Sequence, residues 1–263
     1  LDPATRCYPV FACREDMARS FAAFCENESG KLLGYWLEGK LTGICALYFD
    51  ENTRDLQVNA LYAWDVIDLA LDALLSEMES GFAGYEANVG AAPENACLTV
   101  ALRRHGYEAT ETGADLRYDA LTHTPKEDTT QGIFLLEDET DDGFEEYAPL
   151  HDKWFPGDYW NSARLRELQG DWQALILRGK DGMEGALIVL PGHDMAEIYA
   201  LHAKTQAAAR SLIAGMLWQN ETAEFGVNEI LFPVRSRDND LCSAARACGF
   251  TVFGNYVGWK KRL

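Results

Sequence analysis

Hydrophobic and polar positions follow the same order twice along the chain, at an offset of about 140 residues. Segment Lys31–Ala63 has the pattern of a strand, a Gly-Lys turn, a strand, a polar turn and a third strand, and segment Asp171–Ala203 repeats that order. Gly43 in the first segment takes the same place as Gly185 in the second. The shared order and punctuation predict an internal repeat, in which one structural unit occurs twice.

Helical periodicity follows the third strand of each repeat. Segments Val66–Met78 and Gln206–Gln219 place apolar residues on one face at the spacing of an α-helix. Asn is a good N-cap and Gly suits the residue just past a helix end, so a short helix with defined ends is predicted further along each repeat. The remaining elements are predicted at Tyr85–Val89, Asn95–Gly106, Tyr107–Tyr118, Glu229–Val234, Asn239–Gly249 and Phe250–Lys260.

A polar segment separates the two repeats. Residues 122–130 include a proline and show no periodicity, which is typical of a linker. The sequence therefore predicts a mixed α/β chain with one domain at 1–121 and another at 131–263. A chain of 263 residues is long enough for each of two domains to bury a core of its own.

Charge and cysteine content narrow the classes of function. The formal net charge of −19 disfavours binding to nucleic acid or to anionic membranes, and it suits either a cationic substrate or simple solubility. No apolar run approaches the roughly 20 residues that span a bilayer, and no signal-peptide pattern opens the chain, so we expect a cytoplasmic protein, monomeric or homodimeric. Seven scattered cysteines with no CxxC pair predict neither a disulfide framework nor a zinc site.

The order of elements resembles that of the GNAT superfamily of acyl-CoA-dependent N-acyltransferases. Ala196–Leu201 is similar to the family's fourth strand, and Asn239 followed by Ala244–Phe250 is similar to its last helix and the start of its last strand. Helices at Phe144–Asp152 and Tyr159–Gln169 would correspond to the helices that open the family fold. The resemblance implies two tandem GNAT-like domains and acetyl-CoA as co-substrate.

The same resemblance implies that the C-terminal domain binds acetyl-CoA. In the family, the pantetheine arm lies along the fourth strand and the pyrophosphate lies at the N-terminus of the next helix. The implied cofactor-binding residues are Leu201, His202, Ala203, Lys204, Thr205, Gln206, Ala207, Ala208, Ala209, Arg210 and Asn239. The family's glycines are missing from this loop, so Lys204 and Arg210 would supply charge and Thr205 would cap the helix. The alternative interpretation is an ordinary capped helix with two incidental cations.

The first domain departs further from the family pattern. Its corresponding segment Trp64–Asp72 contains three aspartates and no basic residue, which is unfavourable for a pyrophosphate. We therefore expect the first domain to be a degenerate copy, with a structural role or a role in forming one side of the acceptor site.

Glu197 and Tyr199 are the implied catalytic residues. Glu197 matches a frequent family position for the general base, with a solvated or substrate-binding carboxylate as the alternative. Strand alternation would put Tyr199 and Leu201 on the face of Glu197, with Ile198 and Ala200 on the other face.

The family's usual general acid is absent. Its tyrosine falls on Ala245 in the second repeat and on Leu102 in the first, and neither can donate a proton. The thiolate would then leave unaided, another group such as Tyr256 would donate, or the protein is not a catalyst.

Aromatic residues are concentrated where the acceptor amine would bind. The segment His151–Trp160 contains four aromatic residues and two aspartates, which suits an amine through cation–π contacts and ion pairs. The candidate substrate-binding residues are Trp154, Phe155, Asp158 and Tyr159. An aromatic core beneath a loop is the alternative.

The leading hypothesis is an N-acetyltransferase for a small cationic amine, with its site in the C-terminal domain. The alternative is a non-catalytic GNAT-like protein that binds a ligand or a partner, which the missing glycines and the missing tyrosine favour.

Overall fold

The structure, a computed structural model, describes residues 7–8, 14–122, 133–136, 142–156, 160–167, 172–192, 195–221 and 226–263. Most of the predicted linker at 122–130 lies outside these residues. The elements are β1 (Cys7–Tyr8), α1 (Arg14–Glu26), β2 (Gly30–Leu37), β3 (Lys40–Asp50), β4 (Asp55–Ala63), α2 (Ile67–Gly81), β5 (Glu86–Ala91), α3 (Ala96–Arg104), β6 (Glu108–Asp119), β7 (Ile133–Leu136), α4 (Asp142–Trp154), α5 (Ser162–Glu167), β8 (Gln173–Gly179), β9 (Gly182–Pro191), β10 (Met195–Ala203), α6 (Gln206–Glu221), β11 (Glu229–Arg235), α7 (Asn239–Ala247) and β12 (Thr251–Arg262).

Two compact units contain these elements. The first consists of residues 1–112 together with 255–263, and the second of residues 113–254. In the first unit β2, β3 and β4 are antiparallel, β4 and β5 are parallel, and β12 is antiparallel to β5. In the second unit β7, β8, β9 and β10 are antiparallel, β10 and β11 are parallel, and β6 is antiparallel to β11. The mixed α/β prediction is confirmed.

Each unit takes its last strand from the other half of the chain. Residues 113–119 of β6 pair with β11, and residues 257–262 of β12 pair with β5. The compact units therefore follow strand pairing, whereas the boundaries 1–121 and 131–263 follow the sequence repeat. Those boundaries stay a prediction about the repeat.

Matching irregularities recur in the two repeats. A bulge falls at Asn59 on β4 and at Tyr199 on β10, because each of these residues is one extra residue against the neighbouring strand. At the end of each strand the next residue bonds to the second strand of its repeat, with Trp64 donating its N–H to Thr42 and Lys204 to Glu184, both at 2.9 Å. The predicted repeat thus extends to backbone detail that the apolar pattern does not show.

Glycine ends the short helix of each repeat as predicted. Gly106 and Gly249 have φ of +79° and +100°, a left-handed conformation that glycine adopts without strain. The predicted cap at Asn95 is confirmed, since its side chain accepts the Leu98 N–H at 3.0 Å. The cap predicted at Asn239 is wrong by one residue, because α7 begins with Asn239 and Asp238 occupies the cap position.

Helices cover both faces of the second sheet. On one face α6 and α7 pack through buried residues such as Leu212 and Ala244, and on the other α4 and α5 pack through Phe144 and Leu165. Of the helices in the described ranges, none is both long and apolar enough to cross a membrane.

Candidate functional site

Strands β10 and β11 diverge and open the second sheet between them. These parallel strands pair only from Met195 to Glu197 on β10, opposite residues 229–231 of β11. Beyond that point β11 continues against β6, while β10 continues against β9 as far as Ala203. The two strands therefore diverge and leave one backbone edge of β10 facing a gap.

The bulge at Tyr199 lies at the start of this gap. Ile198 pairs with Val189 and Ala200 pairs with Ile188, so Tyr199 is the extra residue. Beyond the bulge the alternation prediction is wrong: Leu201 packs with Ile198 on the α6 face, whereas Ala200 packs with Tyr199 on the α4 face. A single inserted residue reverses the faces of all later side chains, which explains the error.

Glu197 lies where the strands diverge, on the face that carries Tyr199. Its partner on β11 is Leu231, whose own partner on β6 is Arg117, so the three share one row of the sheet. Burial, assisted by the Asp115 carboxylate, raises the pKa of Glu197 to about 7. A carboxyl group with such a pKa exchanges a proton readily near neutral pH.

Asp115 and Arg117 form a buried polar group beside Glu197. Both side chains are less than 10% exposed. Arg117 lies 2.8 Å from Glu229 and 3.5 Å from Asp115, and its guanidinium covers the Phe253 ring at 3.8 Å. Sequence reasoning missed Asp115, because it belongs to the last strand of the first repeat.

The start of α6 is placed at the end of β10 by a two-residue connection. Thr205 caps the helix as predicted, because its hydroxyl accepts the Ala208 N–H at 3.1 Å and its carbonyl accepts the Ala209 N–H at 3.0 Å. The N–H groups of Gln206 and Ala207 begin the helix and have no intrahelical acceptor. Of the predicted cofactor residues, these two have the backbone N–H groups best placed for an anion.

The other predicted cofactor residues differ in exposure. Lys204 and Arg210 are exposed, so their charges are accessible. The side chain of Leu201 is buried and Ala203 packs against the same core, which leaves only their backbone for a ligand. Asn239 is exposed in the first turn of α7.

Aromatic rings from α4 and the following loop cover the Glu197 face. The Trp154 ring stacks on His202 with centroids 4.0 Å apart, and the Trp160 ring lies 4.8 Å from Tyr199. Phe155 contacts His151 at 5.1 Å instead. Burial, with a smaller effect from Lys204, lowers the pKa of His202, so its imidazole is neutral at neutral pH. The predicted substrate residues Asp158 and Tyr159 lie outside the described residues.

His151 fixes the end of this aromatic loop. Its Nε2 lies 2.6 Å from the Trp160 carbonyl, and its Nδ1 lies 2.5 Å from the Tyr147 hydroxyl. A carbonyl can only accept, so Nε2 carries a proton and donates it to the Trp160 carbonyl, while Nδ1 is hydrogen-bonded to the Tyr147 hydroxyl. The buried imidazole thus holds Trp160 beside the gap.

Solved structures identify this arrangement. A GCN5-related N-acetyltransferase of Sphaerobacter thermophilus is 14% identical to the chain, with a TM-score of 0.69 over 95% of this chain and 85% of its own. A tandem GNAT protein of the clavulanic acid biosynthesis pathway is 14% identical, with a TM-score of 0.59 over 89% and 83%. A GCN5-related N-acetyltransferase of Kribbella flavida is 12% identical, with a TM-score of 0.60 over 93% of each chain. The chain has the tandem GNAT fold.

This likeness concerns the fold alone, because the identities are low. No protein-family model matches the chain, and no curated protein matches it. The resemblance places a tyrosine acid at the positions of Ala245 and Leu102. Both of these residues are fully buried in the cores of their units. Tyr256, the suggested substitute, belongs to the first unit and is not among the residues of the second.

Proposed function

We propose that the chain is an acyl-CoA-dependent N-acetyltransferase for a small cationic amine and that the reaction takes place in the second unit. The observation that carries the proposal is Glu197, a carboxyl group with a pKa of about 7 at the point where β10 and β11 diverge. A general base works best when its pKa lies near the working pH.

The residues of the gap fit acetyl-CoA. The free edge of β10 from Ile198 to Ala203 offers backbone groups to an extended arm that contains amides. The start of α6 offers two N–H groups and the positive end of a helix dipole to a pyrophosphate, flanked by the exposed cations Lys204 and Arg210. Alanine side chains at 207–209 add little bulk, so the missing glycines do not block the approach.

The chain's own residues divide the work of acyl transfer. Acetyl-CoA supplies the acetyl group as a thioester. Glu197 takes the proton from the acceptor amine, directly or through a water, so that the nitrogen can attack the thioester carbonyl. Backbone N–H groups past the bulge at Tyr199 polarise that carbonyl as negative charge develops on its oxygen. No acid stands at Ala245, so the sulfur leaves as thiolate.

Charge and aromatic faces favour a cationic acceptor. Among the described side chains of the second unit, the carboxyl groups of Glu197, Asp115 and Glu229 outnumber the Arg117 guanidinium that lies beside them. The rings of Trp154 and Trp160 lie on the same face of the sheet, where they can attract an ammonium group through cation–π contacts.

A non-catalytic ligand-binding protein is the second candidate. The buried alanine at position 245, where the resemblance places an acid, favours it. The two candidates differ in one observable, since only the enzyme releases CoA thiol when an amine is added.

Isothermal titration calorimetry with acetyl-CoA tests the proposal. We expect micromolar binding by the full chain and at least a tenfold weaker Kd for Lys204→Glu/Arg210→Glu, because two anions replace two cations beside the phosphates. The matched control is Arg14→Glu/Lys180→Glu, which makes the same charge change at the start of α1 and in the turn after β8. Equal losses in both variants would assign the effect to net charge alone.

Thiol release separates the enzyme from the binding protein. The full chain is mixed with acetyl-CoA and either 1,4-diaminobutane or 4-amino-1-butanol. The diamine has a second cationic group, which the amino alcohol replaces with a hydroxyl. Faster release with the diamine supports a cationic acceptor. Absence of acetyl-CoA binding at millimolar concentration refutes the proposed function, and binding without thiol release for a wide panel of amines selects the second candidate.

A further inference from the structure

The first unit contains a gap that corresponds to the one beside Glu197. There β4 and β5 are parallel and pair from Asp55 to Val58 on β4, opposite residues 86–89 of β5, and then diverge. The bulge at Asn59 lies at the start of this gap, as the bulge at Tyr199 does in the second unit. The two gaps therefore begin at equivalent points of the same backbone.

A strand of the chain itself occupies the first gap. Strand β1 pairs antiparallel with β5, with Cys7 opposite Ala91 and Tyr8 opposite Gly90. The same two residues of β5 pair with β12 through Val257 and Gly258. A strand has two backbone edges, and β12 uses one of them, so β1 lies on the edge of β5 that faces β4. It also lies against β4.

The second gap differs at the corresponding place. By the strand registers, Pro233 of β11 stands where Gly90 stands in β5, and proline has no N–H to donate to an added strand. In the ranges described for the second unit, no strand pairs with the diverging part of β10 or β11 on the gap side.

The entrance to the first gap is also different in charge. Asp65 precedes α2 at the position that Thr205 occupies before α6, and Asp68 lies in the first turn of α2. Asp65 is paired with Lys40 at 2.7 Å, and the cap residue Val66 makes no side-chain cap. An anionic ligand is disfavoured there, whereas a peptide backbone carries no net charge and meets no such penalty.

We infer that the gap between β4 and β5 is a binding slot for an extended peptide, held by main-chain hydrogen bonds and occupied by the chain's own N-terminal segment. The peptide lies in the first unit where, on the proposed function, acyl-CoA lies in the second. Two consequences follow: the chain binds one acetyl-CoA, and residues 7–8 contribute to the protection of β5 amides.

Hydrogen exchange followed by mass spectrometry tests the slot without reference to acetyl-CoA. In the full chain, Cys7→Pro/Tyr8→Pro removes both N–H groups of β1 and should release β1 from β5. We therefore expect at least tenfold faster exchange than in the wild type at whichever of Gly90 and Ala91 directs its N–H toward β1. The other N–H faces β12 and should keep its protection. The matched control, Cys7→Ala/Tyr8→Ala, keeps both N–H groups and should retain most of the protection. A synthetic peptide of residues 1–13, added to the proline variant, should slow exchange again, and a scrambled peptide should not.

The outcomes separate the inference from the proposed function. Unchanged exchange in the proline variant, or equal loss of protection in the alanine variant, overturns the peptide slot. A stoichiometry of two acetyl-CoA per chain in calorimetry also overturns it, and one per chain supports it. If acetyl-CoA does not bind at all, the proposed function is refuted while the exchange experiment still decides the slot.

Discussion

The two gaps show what a repeated fold retains and what it changes. Both begin at a bulge on the first strand of a parallel pair, at Asn59 on β4 in the first unit and at Tyr199 on β10 in the second. The side chains that could do chemistry differ, since the first unit has Gln57 where the second has Glu197. Backbone irregularity is thus shared, whereas the carboxyl group that we propose as the base occurs in one copy.

The helices that follow the gaps differ in the same sense. Helix α6 begins with a threonine cap between two exposed cations, and α2 begins with an aspartate and an uncapped valine. A helix N-terminus attracts anions, and at the start of α2 the chain's own aspartates already lie in that favourable position. In the second unit the N-terminus of α6 remains available to an anionic ligand.

Replacing Glu197 tests the chemical difference between the copies. Glu197→Gln keeps the size and removes the base, so we expect kcat for acetyl transfer to fall by about 10²–10⁴-fold with little change in the Kd of acetyl-CoA. In the wild type, kcat/KM should rise with pH to a plateau above about 7, where the carboxyl group is ionised. Because Ala245 supplies no acid, no falling limb is expected from that position. Steady-state kinetics from pH 5.5 to 9 measure both effects.

The matched control lies at the equivalent position of the first unit. Gln57→Ala should leave kcat and its pH dependence unchanged. A similar loss in both variants would mean that the gaps are not chemically distinct, and a persistent rising limb in Glu197→Gln would assign the base to another group.

Protein stability should depend on pH through the same residue. The pKa of Glu197 is raised in the folded protein from 4.5 to about 7, so its contribution to stability is complete below about pH 4.5 and is lost as pH rises through 7. As pH rises from 4.5 to 8, the wild type should therefore lose about 3 kcal/mol of unfolding free energy relative to Glu197→Gln, which has no carboxyl group to ionise at this position. Urea unfolding at the two pH values measures this difference. A parallel pH dependence of the two proteins contradicts the raised pKa.

The sequence predicts the bounds of helices and strands better than it predicts how the strands pair. Helix α6 is predicted at Gln206–Gln219 and observed at Gln206–Glu221, because its apolar stripe and its cap are local signals. The bulge at Tyr199 is not visible in the pattern, since alternation is the same up to the inserted residue. The exchange of β6 and β12 is equally hidden, because the last strands of both repeats are alike in length and polarity. Asp115 was missed for that reason.

Matched glycines test how tightly each repeat packs. A Cβ on Gly185 would lie 2.6 Å from the His202 carbonyl oxygen and 2.9 Å from Leu212, whereas a Cβ on Gly43 would meet its nearest atoms at 3.1 Å. We expect Gly185→Ala to lower the free energy of unfolding by about 2–3 kcal/mol, because a backbone oxygen cannot easily move aside. Gly43→Ala should cost about 1 kcal/mol or less, since its two nearest neighbours are side-chain atoms that need to move by only a few tenths of an ångström and the Tyr62 carbonyl oxygen lies at 3.3 Å.

Denaturant unfolding of the two glycine variants gives this difference directly. The difference should also appear locally, as faster hydrogen exchange in β9 and β10 for Gly185→Ala. If the two substitutions lower the free energy of unfolding equally, the two repeats have equal space for an added methyl group at these glycines.

The smallest expected effect concerns the two helix starts. Thr205→Ala removes the hydroxyl that accepts the Ala208 N–H and should lower the free energy of unfolding by about 1 kcal/mol. Val66→Ser adds a capping hydroxyl at a position that has none, and it should stabilise the protein by up to about 1 kcal/mol. Thermal unfolding of both variants, with Val66→Ala as the control without a hydroxyl, measures the two effects. If Val66→Ser gains nothing over Val66→Ala, the backbone at Asp65, which has φ of +64°, holds the start of α2 in a geometry that a cap cannot reach.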